Sequence, residues 1–205
     1  MTAPALPFPR GLKSETIPAG AALVRIHRDD NGPIWFGPGP GAPPAYRFDA
    51  PGGEYRTLYA AAALEGAFVE TVLRKPKGRI LKREFVDRRV WTSLAPTRPL
   101  AVAKLYDEGL LWHGTDANVS SSDDYGESRR IALSLYATFT DLDGIAYRAR
   151  HDNGEICYAL FDRVSAAELD PGPSARFRDD PAMVDALMRR YGAVFDTGAP
   201  LPPRP

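Results

Sequence analysis

The sequence predicts a mixed α+β fold in a single domain. A length of 205 residues suits one domain. The composition, 44% hydrophobic and 25% charged, is that of an ordinary globular protein with a core of normal size. Strand-like and helix-like segments are intermixed with connections that are short in places, which favours an α+β arrangement over a regular βαβ array.

The chain divides into three predicted parts. Residues 1–20 are rich in Pro and Ala, so we expect an extended N-terminal arm. Residues 21–195 carry the periodic segments and form the domain. Residues 196–205 form a Pro-rich tail.

The first half begins with a predicted strand at residues 23–27. Residues 31–44 hold four Gly and five Pro, a composition that excludes helix and central strand and predicts a long loop. Two further short strands are predicted at residues 46–49 and 57–60. The helix predicted next, at residues 61–74, ends before Pro76.

One face of that helix is apolar. Its apolar stripe is formed by Leu64, Ala67, Phe68, Thr71 and Val72. Glu70 lies well away from the centre of this stripe at about 100° per residue. It therefore faces either solvent or a cleft, and the spacing leaves both alternatives open.

The second half is predicted to alternate between strands and helices. The predicted elements are one or two strands in 80–94, a strand at 100–106, a helical turn at 110–112, a helix from the Ser120–Ser122 cap to about residue 137, strands at 145–147 and 156–161, and a helix at 179–191.

Charge and cysteine content exclude several classes of protein. The formal net charge is zero, with 26 basic and 26 acidic residues, so no overall field favours nucleic acid or an anionic membrane. One cysteine, Cys157, excludes an intrachain disulfide, and no metal-ligand spacing is present. Without a signal-peptide pattern or a long apolar run, the cytoplasm is the expected compartment and no membrane span is predicted.

Two local motifs have simpler interpretations than the ones they suggest. The Gly-Pro-Gly-Pro-Gly run at residues 37–41 lacks the Gly-Lys-Ser/Thr ending of a phosphate loop. The Asp-Leu-Asp-Gly turn at residues 141–144 lacks the distal Glu of a calcium loop. We interpret both as ordinary turns.

The segment from residue 25 to residue 70 carries more information about function. It places Arg25 on a strand, Arg47 on a strand, Tyr59 at a strand end and Glu70 on the following helix. Each residue alone has a structural explanation, because isolated Arg and Glu side chains are usually solvated and an isolated Tyr usually packs at a core margin.

The order of these motifs resembles that of the RES-domain family. The resemblance is carried by Leu-Val-Arg-Ile-His at 23–27, Tyr-Arg-Phe-Asp at 46–49 and Thr-Leu-Tyr-Ala at 57–60, followed by the helix that ends in Glu-Thr. Asp-Gly-Ile-Ala-Tyr-Arg-Ala-Arg-His at 143–151 and Cys-Tyr-Ala-Leu-Phe-Asp-Arg at 157–163 resemble the family's C-terminal half. The match covers residues 23–163.

The resemblance implies a function. Family members resemble ADP-ribosyltransferase toxins in fold and cleave NAD+ at the nicotinamide–ribose bond, as toxins of toxin–antitoxin pairs. They use phosphate as acceptor or transfer ADP-ribose to a protein. The resemblance also implies that NAD+ is the substrate and that no further cofactor is needed. The implied partners are a small Xre-type helix-turn-helix antitoxin and a second copy of the chain in a homodimer. A non-catalytic NAD-binding module is the remaining alternative.

The chemistry of the implied reaction suggests a role for each of these residues. Glu70 would stabilise the positive charge that develops on the ribose. Arg25 and Arg47 would hold the pyrophosphate with their planar donor forks. Tyr59 would stack on nicotinamide. Arg150 and His151 would bind an incoming phosphate.

One position departs from the family pattern. The family has Ser where this chain has Ala149, within Tyr-Arg-Ala-Arg. The resemblance places residue 149 against the substrate, so a hydroxyl contact would be missing and activity weakened, redirected or lost. Ser128 or Ser134 could supply the hydroxyl in space.

Overall fold

The computed structural model describes residues 8, 10–39, 41–74 and 79–198. The strands are β1 Ser14–Ile17, β2 Leu23–Arg28, β3 Thr57–Ala61, β4 Ile80–Leu81, β5 Arg89–Pro96, β6 Leu100–Leu105, β7 Gly144–Ala149, β8 Asp152–Phe161, β9 Leu169–Arg176 and β10 Val194–Phe195. The helices are α1 Leu64–Thr71, α2 Arg83–Asp87, α3 Glu108–Trp112, α4 Asn118–Ser121, α5 Gly126–Thr138 and α6 Pro181–Arg190.

A large mixed sheet forms the centre of the molecule. Its strand order is β1-β6-β7-β8-β3-β2-β5-β9, and β4 and β10 form a separate parallel pair. Within the large sheet only β6 and β7 run parallel, and the other neighbours are antiparallel. Apolar side chains cover both faces. One face packs against α1, α5 and α6, and the other buries a smaller cluster around Leu58 and Leu160.

The sheet is split between β2 and β3. These two strands share a single register pair, Val24 with Ala61. By contrast, β2 pairs with β5 over its whole length and β3 does so with β8. The loop after β2 enters the gap, where Gly37 and Thr57 exchange two backbone hydrogen bonds of 3.2 and 3.1 Å. A cleft opens where the strands diverge.

The strands predicted at 23–27, 57–60, 100–106, 145–147 and 156–161 are confirmed within a few residues. The strand predicted at residues 46–49 is wrong, because these residues form a turn. The carboxylate of Asp49 accepts hydrogen bonds from the backbone N–H groups of Ala45 and Tyr46, at 2.8 and 2.7 Å, and this closes the chain on itself.

Two strands differ from the prediction because each pairs with a strand that is distant in the sequence. Ser14–Ile17, inside the predicted arm, pairs with β6 as an edge strand. Strand β9 was not predicted, because it contains two Pro and one Gly and is held only along β5.

Two predicted elements differ in their local structure. Residues 83–87 form helix α2 instead of a strand. The helix predicted from Ser120 is divided into α4 and α5, because the backbone at Ser122 is extended.

Several predictions lie outside the described residues. They are the helix stop at Pro76, the first part of the N-terminal arm and the tail beyond residue 198. In the part of the chain that the structure describes, no helix is both long and apolar enough to cross a membrane.

Candidate active site

The cleft at the split between β2 and β3 brings together the residues singled out from the sequence. It has a volume of about 340 Å³. Its walls come from β2, β3, α1, the 45–49 turn and the ends of β5 and β7. The predicted site residues that line it are Arg25, Arg47, Tyr59, Glu70, Arg150 and His151.

Glu70 lies in the last turn of α1 and faces the cleft, which resolves the alternative that the helical spacing left open. Its Oε1 accepts a hydrogen bond of 2.9 Å from the backbone N–H of Arg150. Among the described residues the other carboxylate oxygen has no donor, so it is available to a ligand. A negative charge near a helix C-terminus is unfavourable for the helix, and this position is therefore better explained by function than by stability.

Arg25 lies on β2 next to Val24 and lines the cleft. Its Nη1 donates to the backbone carbonyl of Tyr59 at 3.1 Å, an acceptor left free because β2 and β3 diverge here. Its Nε is buried and has no hydrogen-bond partner among the described residues. Burial lowers the pKa of Arg25 to about 10, against a smaller opposing effect of Tyr46. An unpaired, desolvated cation of this kind is ready to receive an anion.

Arg47 lies on the 45–49 turn, and only 7% of its surface is exposed. Its guanidinium stacks on the ring of Tyr125, 4.6 Å from the centroid, and Nη1 donates to the carbonyl of Val119 at 3.4 Å. Burial lowers the pKa of Arg47, while Tyr125 and Glu70 oppose this effect. The planar group is thereby oriented, and its remaining donors are left for a ligand.

Tyr59 connects the 45–49 turn to β3. Its hydroxyl donates to Asp49 Oδ1 at 3.0 Å and accepts from the backbone N–H of Phe48 at 2.9 Å. Burial, followed by the neighbouring Asp49 carboxylate, raises the pKa of Tyr59 well above its usual value. The hydroxyl therefore has a positioning role. The ring lies 5.4 Å from the ring of Tyr46 and lines the cleft.

Arg150 and His151 follow β7 at the Glu70 end of the cleft. The Arg150 guanidinium pairs with Asp123, an exposed residue, so this ion pair is open to solvent. His151 is exposed. Both side chains line the cleft, and the backbone N–H of Arg150 contacts Glu70.

Ala149 does not line the cleft. Its side chain is fully buried in the core, one residue before the N–H group that holds Glu70. The structure therefore places the side chain of residue 149 outside the cleft lining, and its contact with substrate stays a prediction. Neither Ser128 nor Ser134 lines the cleft either, and Ser128 donates to the Val119 carbonyl that also accepts from Arg47.

Sequence reasoning missed several lining residues. Arg74 lies over the ring of Tyr46, at 4.5 Å, and its Nη2 donates to the hydroxyl of Tyr125 at 3.4 Å. Arg89 and Trp35 line the opposite end. Arg74 follows Glu70 by four residues, a helical spacing that could have indicated the same face, whereas nothing local marks Arg89 or Tyr125.

The cleft is strongly cationic. Six arginine side chains line it, and Glu70 is the only carboxylate among its described lining residues. In the described part of the chain, Arg25, Arg47, Arg74 and Arg89 form no ion pair. A cleft of this composition fits an anionic small molecule that presents phosphate groups.

The site and fold define a known class of domain. The chain belongs to the RES domain family, because the family model matches residues 22–180. No curated protein sequence matches the chain.

A solved structure shares the architecture. The chain is similar to a chain in the crystal structure of the M. tuberculosis MbcT–MbcA toxin–antitoxin complex, with a TM-score of 0.65 and 16% sequence identity. The superposition covers 85% of this chain and 92% of that chain. At this identity the likeness concerns the fold, and it confirms the mixed α+β architecture.

Proposed function

We propose that this protein cleaves the nicotinamide–ribose bond of NAD+ in the cleft between β2 and β3. The observation that carries the proposal is one carboxylate, Glu70, in a cleft lined by six arginines. NAD+ has complementary features. Its pyrophosphate is anionic, and its nicotinamide ribose develops positive charge as the glycosidic bond breaks.

The reaction needs few groups. The bond between ribose C1′ and the nicotinamide nitrogen breaks, and its electron pair leaves with nicotinamide, which becomes neutral. Glu70, held by the Arg150 N–H, stabilises the oxocarbenium-like ribose. An acceptor oxygen then bonds to C1′ and its proton passes to solvent. A single preorganised electrostatic group of this kind lowers the activation free energy by roughly 3–4 kcal/mol.

The arginines would hold the substrate in register with Glu70. Arg25 lies between the two ends of the cleft, and its unpartnered Nε can donate to a pyrophosphate oxygen. Arg47 can donate to the second phosphate while it remains stacked on Tyr125. Charge-assisted bonds of this type are stronger than neutral ones and fix geometry.

We propose inorganic phosphate, rather than water, as the acceptor. Arg150 and His151 lie beside Glu70, where the acceptor must approach. The expected products are free nicotinamide and ADP-ribose 1″-phosphate.

The proposal includes a cellular role as the toxin of a toxin–antitoxin pair. It is supported by membership of the RES domain family and by the likeness to a chain of the MbcT–MbcA toxin–antitoxin complex. A small Xre-type helix-turn-helix antitoxin that covers the cleft is the expected partner, and a homodimer is expected by the same resemblance. Induced expression should stop bacterial growth and lower cellular NAD+, and Glu70→Gln should relieve both effects.

Product analysis tests the chemistry. The purified protein is incubated with NAD+, with and without inorganic phosphate, and all products are identified by mass. Nicotinamide together with ADP-ribose 1″-phosphate supports the proposal, and free ADP-ribose would show that water is the acceptor. ADP-ribose attached to protein would indicate an ADP-ribosyltransferase. Intact NAD+ under both conditions would mean a binding module and would overturn the enzymatic proposal.

A further inference from the structure

The cleft has two distinct ends, and Glu70 marks one of them. Ala61, the last residue of β3, pairs with Cys157, which in turn pairs with Tyr147. Glu70 accepts its hydrogen bond from Arg150, three residues beyond Tyr147. Bond cleavage is therefore assigned to the Ala61 end of β3.

The other end carries an indole that this chemistry does not use. Gly37 bridges to Thr57, the first residue of β3, and Trp35 lies two residues before Gly37 and lines the cleft. Ala61 lies four residue steps along β3 from Thr57. At about 3.3 Å per residue this is roughly 13 Å. Trp35 and Glu70 thus lie toward opposite ends of the cleft.

One face of the Trp35 ring is fixed and the rest is open. A Cβ added at Gly37 would lie almost equally close to three adjacent ring atoms, Cζ2, Cη2 and Cζ3. That places Gly37 against the face of the ring and not beyond its edge. The side chain is nevertheless 49% exposed. Gly37, which has no side chain, therefore packs against one face of the indole, and the exposed part of the ring presents a flat apolar surface at the cleft.

Polar donors surround this end. Arg28 and Arg89 are register partners on β2 and β5, and both line the cleft. Arg28 is already paired with Asp30, whereas Arg89 has no carboxylate partner among the described residues. The Nε of Arg89 is buried and has no partner among the described residues. Asn31 also lines the cleft here. An exposed aromatic face beside free hydrogen-bond donors suits a nucleoside, whose base stacks and whose ribose and phosphate accept hydrogen bonds.

We propose that Trp35 is the stacking platform for the adenine base of the substrate, and that the cleft thereby selects dinucleotides over nicotinamide mononucleotide. The identification of the other half of the ligand rests on the proposed function. The order along the cleft would be nicotinamide ribose at Glu70, pyrophosphate at Arg25 and adenosine at Trp35.

Binding of ADP-ribose tests the proposal without depending on catalysis. Titration calorimetry compares the parent protein with Trp35→Ala, Trp35→Phe and the control Trp112→Ala, an exposed indole on α3 that does not line the cleft. Loss of one base–aromatic stack should raise the Kd of Trp35→Ala about 5- to 150-fold. Trp35→Phe should recover most of the affinity, and Trp112→Ala should match the parent.

Kinetics with two substrates complete the test. Trp35→Ala should raise KM for NAD+ and leave KM for nicotinamide mononucleotide unchanged. Equal ADP-ribose affinity in Trp35→Ala and Trp112→Ala, or no binding by the parent, would overturn the assignment, as would equal KM changes for both substrates. If NAD+ is not cleaved but ADP-ribose binding still depends on Trp35, the proposed reaction fails and the adenosine site stands.

Discussion

Two groups of arginines in this molecule are built in opposite ways. Arg98, two residues before β6, forms a bidentate pair with the buried carboxylate of Asp143, at 2.9 and 2.7 Å, and a third bond with Glu168. The cleft arginines Arg25 and Arg47 are more deeply buried than Arg98, yet neither has a carboxylate in ion-pair contact among the described residues.

The difference shows how a structural arginine can be separated from a functional one. In the Arg98 cluster two carboxylates compensate the guanidinium charge, and the contacts join the segments that precede β6, β7 and β9. The cleft leaves positive charge uncompensated at a cost in folding free energy, because burial of an unpaired charge is unfavourable. Such an arrangement is expected where a ligand brings the missing negative charge.

The largest expected effect comes from the one acid in the cleft. Glu70→Gln should reduce NAD+ cleavage about 100- to 1,000-fold, since one preorganised charge at the reacting centre is removed. The melting temperature should stay constant or rise slightly, because a negative charge leaves the C-terminal turn of α1. Rates of nicotinamide release and thermal melting check both statements.

Glu65→Gln is the matched control for that variant. It makes the same substitution in the first turn of α1, outside the cleft, and should retain full activity. If Glu70→Gln cleaves NAD+ at the parental rate, the role of Glu70 is wrong.

Paired Arg→Met variants test the comparison itself. Arg25→Met should weaken ADP-ribose binding about 10- to 150-fold, the loss of one charge-assisted contact, while stability is unchanged or increased. Arg98→Met should leave binding intact and lower the free energy of unfolding by about 1–3 kcal/mol, a range reduced for the partial exposure of Arg98. Urea unfolding and calorimetry measure both. If the two substitutions lower the free energy of unfolding equally, the distinction between a structural and a functional arginine is wrong.

A smaller effect is expected for Arg47→Lys. Lysine keeps the charge but loses the planar fork and its stacking on Tyr125, so the Kd for ADP-ribose should rise about tenfold. Arg56→Lys, at an exposed ion pair with Asp162, is the control and should have parental affinity. Unchanged affinity in Arg47→Lys would argue against a bidentate contact.

The smallest effect concerns acid stability. Hydrogen bonds from Arg98, and then from Ser165, lower the pKa of Glu168 to about 2 from the ordinary value of 4.5. A lowered folded-state pKa stabilises the protein above about pH 4.5, and this contribution is lost as pH falls toward 2. Urea unfolding between pH 5 and 2 should show a shallower decline in Arg98→Met. The same pH slope in both proteins would refute this linkage.

Much of the fold was predictable from local pattern. Apolar runs identified β2, β3, β6 and β8, and helical spacing identified α1. The edge strands β1 and β9 were not predicted, since their pairing depends on partners about 80 residues away. The 46–49 segment was assigned to a strand because its composition suits one, and the Asp49 carboxylate decides otherwise.

The site was predictable in part. Arg25, Arg47, Tyr59, Glu70 and Arg150 were named from motif order, and the structure places all five in one cleft. Trp35, Arg89 and Tyr125 reach the cleft from separate segments. The sequence indicates Trp35 only as an apolar anchor of the 31–44 loop, and Arg89 and Tyr125 carry no local signal. Ala149 belongs to the same core cluster as Tyr147, which lines the cleft, but its own short side chain is fully buried and does not reach the cleft.

A crystal structure of Glu70→Gln with NAD+ tests the central claim most directly. The variant should bind the dinucleotide without cleaving it. We expect the pyrophosphate within hydrogen-bond distance of Arg25, and the nicotinamide ribose beside residue 70. NAD+ bound outside the cleft, or a pyrophosphate that contacts none of the cleft arginines, would contradict the account.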